Sequence, residues 1–181
     1  MPPGTSWMRL KDYWKEHMEL DRIHRVYFIG AGGIGMSALA RYFVRLGKTV
    51  AGYDRTPSPL TRALEAEGIS LHYQDHVEDI PSAFLMAEGT LVVYTPAVPP
   101  SHAELNYFMR AGYDVKKRAE VLGLVSENSR CLAVAGTHGK TTTSCILAHL
   151  LREAGLGITA FLAGGSEDFG SNFLMEVTSI A

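Results

Sequence analysis

The chain has 181 residues, 46% hydrophobic and 20% charged, enough for one medium domain or for a small domain with part of another. Seventeen Lys and Arg face nineteen Asp and Glu, a formal net charge of −2, which argues against a generic nucleic-acid surface. Cys131 and Cys145 are the two cysteines, so no disulfide framework is implied, and neither a membrane-length apolar run nor a signal peptide's apolar core is present; the expectation is a soluble, cytoplasmic protein.

Residues 1–22 read as a leader with Trp7, Tyr13 and Trp14, either disordered or a short amphipathic helix. The run Arg25–Ile29 predicts a buried strand. It leads into Gly30-Ala31-Gly32-Gly33-Ile34-Gly35, then a helix-periodic stretch to Leu46, stopped by Gly47. Thr49–Tyr53 predicts a second strand, closed by Asp54, with Pro57 and Pro59 in the turn that follows. A helix over residues 60–67 and a third strand over 70–73 come next. Asp75, Glu78 and Asp79 read as a solvated helix face. His72, His76 and His102 show no metal-ligand spacing. Residues 91–94 predict a fourth strand, ending in Thr95-Pro96-Ala97-Val98. Ser101 reads as the cap of the next helix, with Glu104 as its capping-box partner. That helix stops at Gly112, residues 113–117 form a fifth strand, and 119–125 a helix.

This alternation is the pattern of a parallel sheet covered on both faces. The expected class is α/β, with residues 23–128 forming a Rossmann-like domain. Arg130 marks a restart. Residues 131–135 predict another apolar strand, followed by Gly136-Thr137-His138-Gly139-Lys140-Thr141-Thr142 and a helix to Glu153. Weaker strands are expected at 158–163 and 173–177, around a turn at 164–170. Residues 129–181 therefore read as the start of a P-loop ATPase-type domain.

The first glycine loop has the strand-before, helix-after context of a nucleotide diphosphate site. Gly30 permits the turn, Gly32 a close backbone approach to diphosphate, and Gly35 close helix–strand packing. Asp54 is a candidate partner for a ribose or a base. A packing cluster of glycines is the alternative. Thr95 and Ala97 lie at a strand's carboxyl end, where an open α/β sheet forms its ligand crevice; an ordinary proline turn reads equally well. The second loop is a variant phosphate loop, with Val134 where the usual form has glycine. Its amides would cradle phosphates, Lys140 would reach the outer phosphates, and the Thr141 hydroxyl would meet Mg²⁺. His138 is either a phosphate contact or structural.

Residues 27–40 (Tyr-Phe-Ile-Gly-Ala-Gly-Gly-Ile-Gly-Met-Ser-Ala-Leu-Ala) and 133–143 (Ala-Val-Ala-Gly-Thr-His-Gly-Lys-Thr-Thr-Thr) together resemble the Mur ligase family, in its UDP-N-acetylmuramate–L-alanine ligase branch. The resemblance spans about residues 23–175, including Gly52-Tyr53-Asp54 and Arg118-Ala119-Glu120-Val121-Leu122. The sibling that reattaches recycled murein peptide shares the second loop, whereas residues 32–37 favour the alanine branch. The resemblance implies an ATP-driven ligation in peptidoglycan precursor synthesis. The muramate carboxylate attacks the γ-phosphorus of ATP, and the alanine amine then attacks the acyl phosphate. It implies that Gly30, Ala31, Gly32, Gly33, Ile34, Gly35, Asp54, Thr95 and Ala97 line a UDP-sugar pocket. Gly136, Thr137, His138, Gly139, Lys140, Thr141 and Thr142 would hold ATP phosphates, with Lys140 and His138 catalytic and Thr141 on Mg²⁺. The implied partners are UDP-N-acetylmuramate and L-alanine, with no nucleic acid and no membrane insertion; a homodimer is left open. The family's Glu-Ala-Asp-Glu run, its histidine metal ligand and its C-terminal domain have no counterpart here, and Glu176 is not given the metal role. The expectation is an inactive N-terminal portion of a longer ligase. A standalone nucleotide-binding or regulatory module is the competing reading, and an NAD-linked oxidoreductase a third.

Overall fold

The computed structural model describes residues 20–127, 129–166 and 171–176. The leader's Trp7 and Trp14, part of the expected turn at 164–170, and Val177 lie outside the described residues.

Five strands form one parallel sheet: β1 (Arg25–Ile29), β2 (Thr49–Tyr53), β3 (Ser70–His72), β4 (Thr90–Tyr94) and β5 (Asp114–Lys117). Their order is β3-β2-β1-β4-β5, with Ile29 paired to Tyr53 on one side and to Tyr94 on the other. The chain leaves β1 toward β2 and later crosses to β4. The carboxyl ends of β1 and β4 therefore flank a topological switch point, where such sheets hold ligands.

Side chains of β1 alternate between two cores. Val26 and Phe28 join Met36, Leu39 and Phe43 of α1 (Ile34–Arg45) and Val121 and Val125 of α4 (Arg118–Glu127). Tyr27 and Ile29 join Phe84 and Tyr113 with Leu105 and Phe108 of α3 (Ala103–Arg110). Burial on both faces explains why β1 is apolar throughout. Helix α2 (Pro59–Ala66) starts with a reciprocal Ser58–Thr61 capping box and Pro59 in its first turn, both strong start signals.

Three features of the start of α3 differ from expectation. Its cap is His102, not Ser101, and the His102 side chain accepts from the Leu105 amide. Asp75 reaches across to accept from the Ala103 amide at 2.8 Å and the Glu104 amide at 3.1 Å. Asp75 thus belongs to this cap rather than to a solvated helix face. Glu104 is fully buried and meets Tyr27, so it has no capping-box role.

The second unit departs further. Residues 131–135 form no strand, and Leu132 is 59% exposed. An apolar segment becomes a strand only by joining a ladder, and none of the described strands pairs with it. Helix α5 (Lys140–Glu153) forms as expected, yet Ala148 is its only buried residue. Strands β6 (Ile158–Ser166) and β7 (Ser171–Glu176) make an antiparallel pair that docks on α1. Phe161 and Phe173 lie 5.6 and 6.4 Å from the Tyr42 ring. The Asn172 amide donates to Ser37 Oγ at 2.9 Å and to the Ile34 carbonyl, and accepts from Arg41. No helix of the described residues is long and apolar enough to cross a membrane.

Candidate functional site

A cavity of about 860 Å³ opens at the carboxyl ends of the strands. It is lined by Gly30, Gly33, Ile34 and Gly35 of the first loop, by Asp54 after β2, and by Thr95 and Ala97 after β4. These are seven of the nine residues expected for the substrate pocket. Gly32 and Ala31 are not in the lining, and Ala31 is fully buried.

Hydrogen bonds explain the division. The Gly30 and Ala31 amides both donate to the Tyr53 carbonyl, at 2.8 and 3.0 Å. The Gly32 amide donates to Asp54 Oδ2 at 2.6 Å, and Asp54 Oδ1 accepts from the Thr56 amide at 3.2 Å. The carboxylate expected to meet a ribose or base is thus tying the loop to β2. Gly32 is required by that tie, since a Cβ there would sit 2.8 Å from Asp54 Oδ2. The amides that remain without acceptors among the described residues are those of Ile34, Gly35 and Met36, the first turn of α1. A helix start of this kind attracts an anion.

Gly35 also differs from expectation. The nearest atoms to a Cβ there belong to Arg118, whose guanidinium would lie 2.3 Å away, rather than to a strand. The close approach between strands is made at Gly52, where a Cβ would meet the Phe28 carbonyl oxygen at 2.3 Å. Arg118, Arg55, Asp75 and His102 line the cavity as well, and sequence reasoning gave none of them a place in it. Arg118 was readable in one respect, as a charge directly after a parallel strand, hence on the ligand edge of the sheet.

Behind the cavity lies a buried polar group. Tyr27 Oη is 2.6 Å from His72 Nε2 and 2.7 Å from Glu104 Oε2. Burial pushes the Glu104 carboxyl up to about 8, and burial pushes His72 and His102 down.

The second loop stands apart, with none of residues 136–142 in the cavity lining. Gly136 and Gly139 have φ of +155° and +75°, and Gly139 caps α5 in the left-handed region, which glycine alone adopts without cost. Lys140 Nζ donates back to the Gly136 and Thr137 carbonyls at 2.7 and 3.2 Å. His138 is exposed, its Nδ1 lying 3.2 Å from Thr137 Oγ1. Thr141 is half-buried and Thr142 exposed in the first turn of α5. Among the described residues no group of three or more His, Cys, Asp or Glu side chains is placed to hold a metal ion.

Comparison with known proteins decides the family. The family described as Mur ligase, catalytic domain, matches residues 25–130. The chain belongs to the Mur ligase family. That match covers the whole parallel sheet and its cavity-lining loops. Among relatives of this Mur ligase chain, the UDP-N-acetylmuramate–L-alanine ligase of Flavobacterium psychrophilum is 58% identical over 157 residues, 87% of this chain and 35% of that protein. The Porphyromonas gingivalis (W83) protein of the same name is 57% identical over 152 residues, 84% and 33% of the two chains. Among solved structures, the UDP-N-acetylmuramate-alanine ligase of Thermotoga maritima superposes with a TM-score of 0.75 at 27% identity, covering 84% of this chain and 35% of that one. The UDP-N-acetylmuramate:L-alanyl-γ-D-glutamyl-meso-diaminopimelate ligase of Neisseria meningitides gives 0.74 at 28%, covering 83% and 46%. This Mur ligase chain thus spans about a third of the length of the curated relatives it matches.

Proposed function

We propose that this chain is the nucleotide-sugar-binding part of an ATP-dependent ligase that joins L-alanine to UDP-N-acetylmuramate, in the construction of peptidoglycan precursors. The observation that carries the reading is the 860 Å³ cavity at the switch point of the sheet. It is lined by the same glycine loop that marks the alanine-adding branch in sequence. Residues 23–128 form the UDP-substrate domain in this proposal, and 129–181 the beginning of a P-loop ATP domain. The soluble substrates fit a cytoplasmic enzyme.

Within the first domain, the free amides of Ile34, Gly35 and Met36 receive the diphosphate. Asp54 fixes the loop through Gly32, and Thr95 and Ala97 close the opposite wall. In the second, Gly136, Thr137, His138, Gly139, Lys140, Thr141 and Thr142 surround the ATP phosphates. The loop's left-handed glycine and the α5 amides suit an anion, and Lys140 is already drawn into the loop. It would move from the carbonyls of Gly136 and Thr137 to the phosphate oxygens as negative charge shifts. His138, beside Thr137, would orient a phosphate oxygen or the reacting carboxylate. Mg²⁺ would supply charge neutralisation, with Thr141 as its protein ligand here. With one hydroxyl and, among the described residues, no acidic cluster, the residues suit a metal arriving with its nucleotide rather than a free ion.

The test is titration with UDP-N-acetylmuramate and, separately, NAD. Saturable binding of the first and none of the second is expected. The reverse would return the chain to the dinucleotide-binding oxidoreductases.

A further inference from the structure

We propose that Arg118 is the cationic contact for the substrate diphosphate, a guanidinium admitted to the first turn of α1 by Gly35. This deepens the reading of the cavity as a nucleoside-diphosphate site and rests on it.

Arg118 is half-buried and lines the cavity. Its side chain lies across Gly35, where a Cβ would be 2.3 Å from Nη1, 3.1 Å from Cζ and 3.2 Å from Cδ. No side chain larger than hydrogen fits at position 35 without moving the guanidinium. Among the described residues the Arg118 side chain has no hydrogen bond and no carboxylate partner. Asp54, the acid of this loop, is engaged by the Gly32 and Thr56 amides.

The surroundings make this placement unfavourable for a lone cation. Arg118 is the first residue of α4 and rests against the first turn of α1. Both helix starts carry partial positive charge, which disfavours a neighbouring cation. The first turn of α1 holds no acidic residue and no side-chain cap. An anion set between the guanidinium and the amides of Ile34, Gly35 and Met36 answers both deficits. The planar fork of arginine matches phosphate oxygens, two at a time. A second, independent observation marks the same cavity as built for a ligand: His102 lines it, is 4% exposed, and has no partner for Nε2. A ligand that meets both has phosphates at one part and a polar ring or sugar at another, as a nucleoside diphosphate does.

The experiment is a titration of this 181-residue chain at low salt with UDP, with uridine and with inorganic pyrophosphate. The proteins are wild type, R118Q, R118K, G35A and the R118Q/G35A double variant. R118Q is expected to lose about tenfold or more in UDP affinity and to keep uridine affinity within about twofold, the effect of one charge-assisted contact. R118K, with the charge but not the fork, falls between. G35A keeps its melting temperature, since alanine is the better helix former, and loses UDP affinity. Adding G35A to R118Q then costs nothing further. Wild-type UDP affinity in R118Q overturns the proposal, as does full additivity in the double variant. Pyrophosphate binding that depends on Arg118, with UDP bound no more tightly, upholds the anion contact and removes the nucleotide reading. UDP binding that ignores Arg118 does the reverse.

Discussion

Tyr27 has one phenolic proton and two neighbours that need it, Glu104 Oε2 at 2.7 Å and His72 Nε2 at 2.6 Å. One neighbour must therefore donate to Tyr27. Burial pushes Glu104 up to about 8 and His72 down, so an un-ionised Glu104 is the spare donor near neutral pH. The folded Glu104 holds a proton that the unfolded chain releases from about 4.5 upward. Its stabilisation is thus complete below that pH and is lost as pH rises toward 8, at a ceiling of about 1.4 kcal/mol per pH unit. E104Q keeps the size, supplies an N–H donor and does not titrate. Melting temperature is expected to fall more steeply between about pH 5 and 8 in wild type than in E104Q. His72 Nε2 lies 3.4 Å from Glu104 Oε1, so the difference reads Glu104 together with its effect on His72; parallel curves would refute the assignment. Sequence alone did not reveal this group. Alternation turns Tyr27 inward, but nothing local links it to a glutamate 77 residues away. The spacing of Glu104 from Ser101 pointed instead to a surface cap.

The start of α3 shows the same limit for a whole element. Asp75 accepts from two of its amides and lies 3.0 Å from His102 Nδ1. Removing it leaves the Ala103 and Glu104 amides without their acceptor, whereas removing the His102 ring takes one side-chain acceptor from the Leu105 amide. D75A is expected to cost about 2–3 kcal/mol and H102A about 1, with H102N nearly neutral because asparagine caps well. Denaturant midpoints give the order, and an H102A loss equal to D75A would assign the cap to histidine alone. Elements set by local pattern were readable to the residue. Arg25–Ile29 and Thr49–Tyr53 have the same bounds in sequence and structure, because each is an apolar run closed by a glycine or aspartate turn. Residues 131–135 are as apolar, yet they form no strand. A ladder is a property of neighbours, and period and composition do not show whether a neighbour is there. The first glycine loop was readable as part of the cavity wall at the carboxyl ends of the strands. The assignment of its amides was not, since Tyr53 and Asp54 claim them only in three dimensions.

The molecule as a whole buries its two units unequally. The sheet has a core on each face, and the β6–β7 pair extends one of them over α1. Around α5, by contrast, Leu132, Ile146, Leu150 and Leu156 are each more than half exposed. A 14-residue helix with one buried side chain draws little stability from packing, and such helices are marginal by themselves. Two substitutions separate the sheet with its β6–β7 cover from α5. F173A removes a ring that is 7% exposed and lies 5.5 Å from Phe161 and 6.4 Å from Tyr42; its expected cost is about 3–5 kcal/mol. L150Q changes a larger exposed area and is expected to stay within about 0.5 kcal/mol. Thermal unfolding followed at the sheet's aromatic residues reads both. Comparable losses would mean that α5 unfolds with the sheet as one cooperative body. The expected inequality means that the sheet and its β6–β7 cover hold together without help from α5 and the loop before it. The proposed UDP binding and its dependence on Arg118 are then expected to follow the sheet with its β6–β7 cover, whose Phe161 and Leu162 also line the cavity, and to be measurable whatever state α5 adopts.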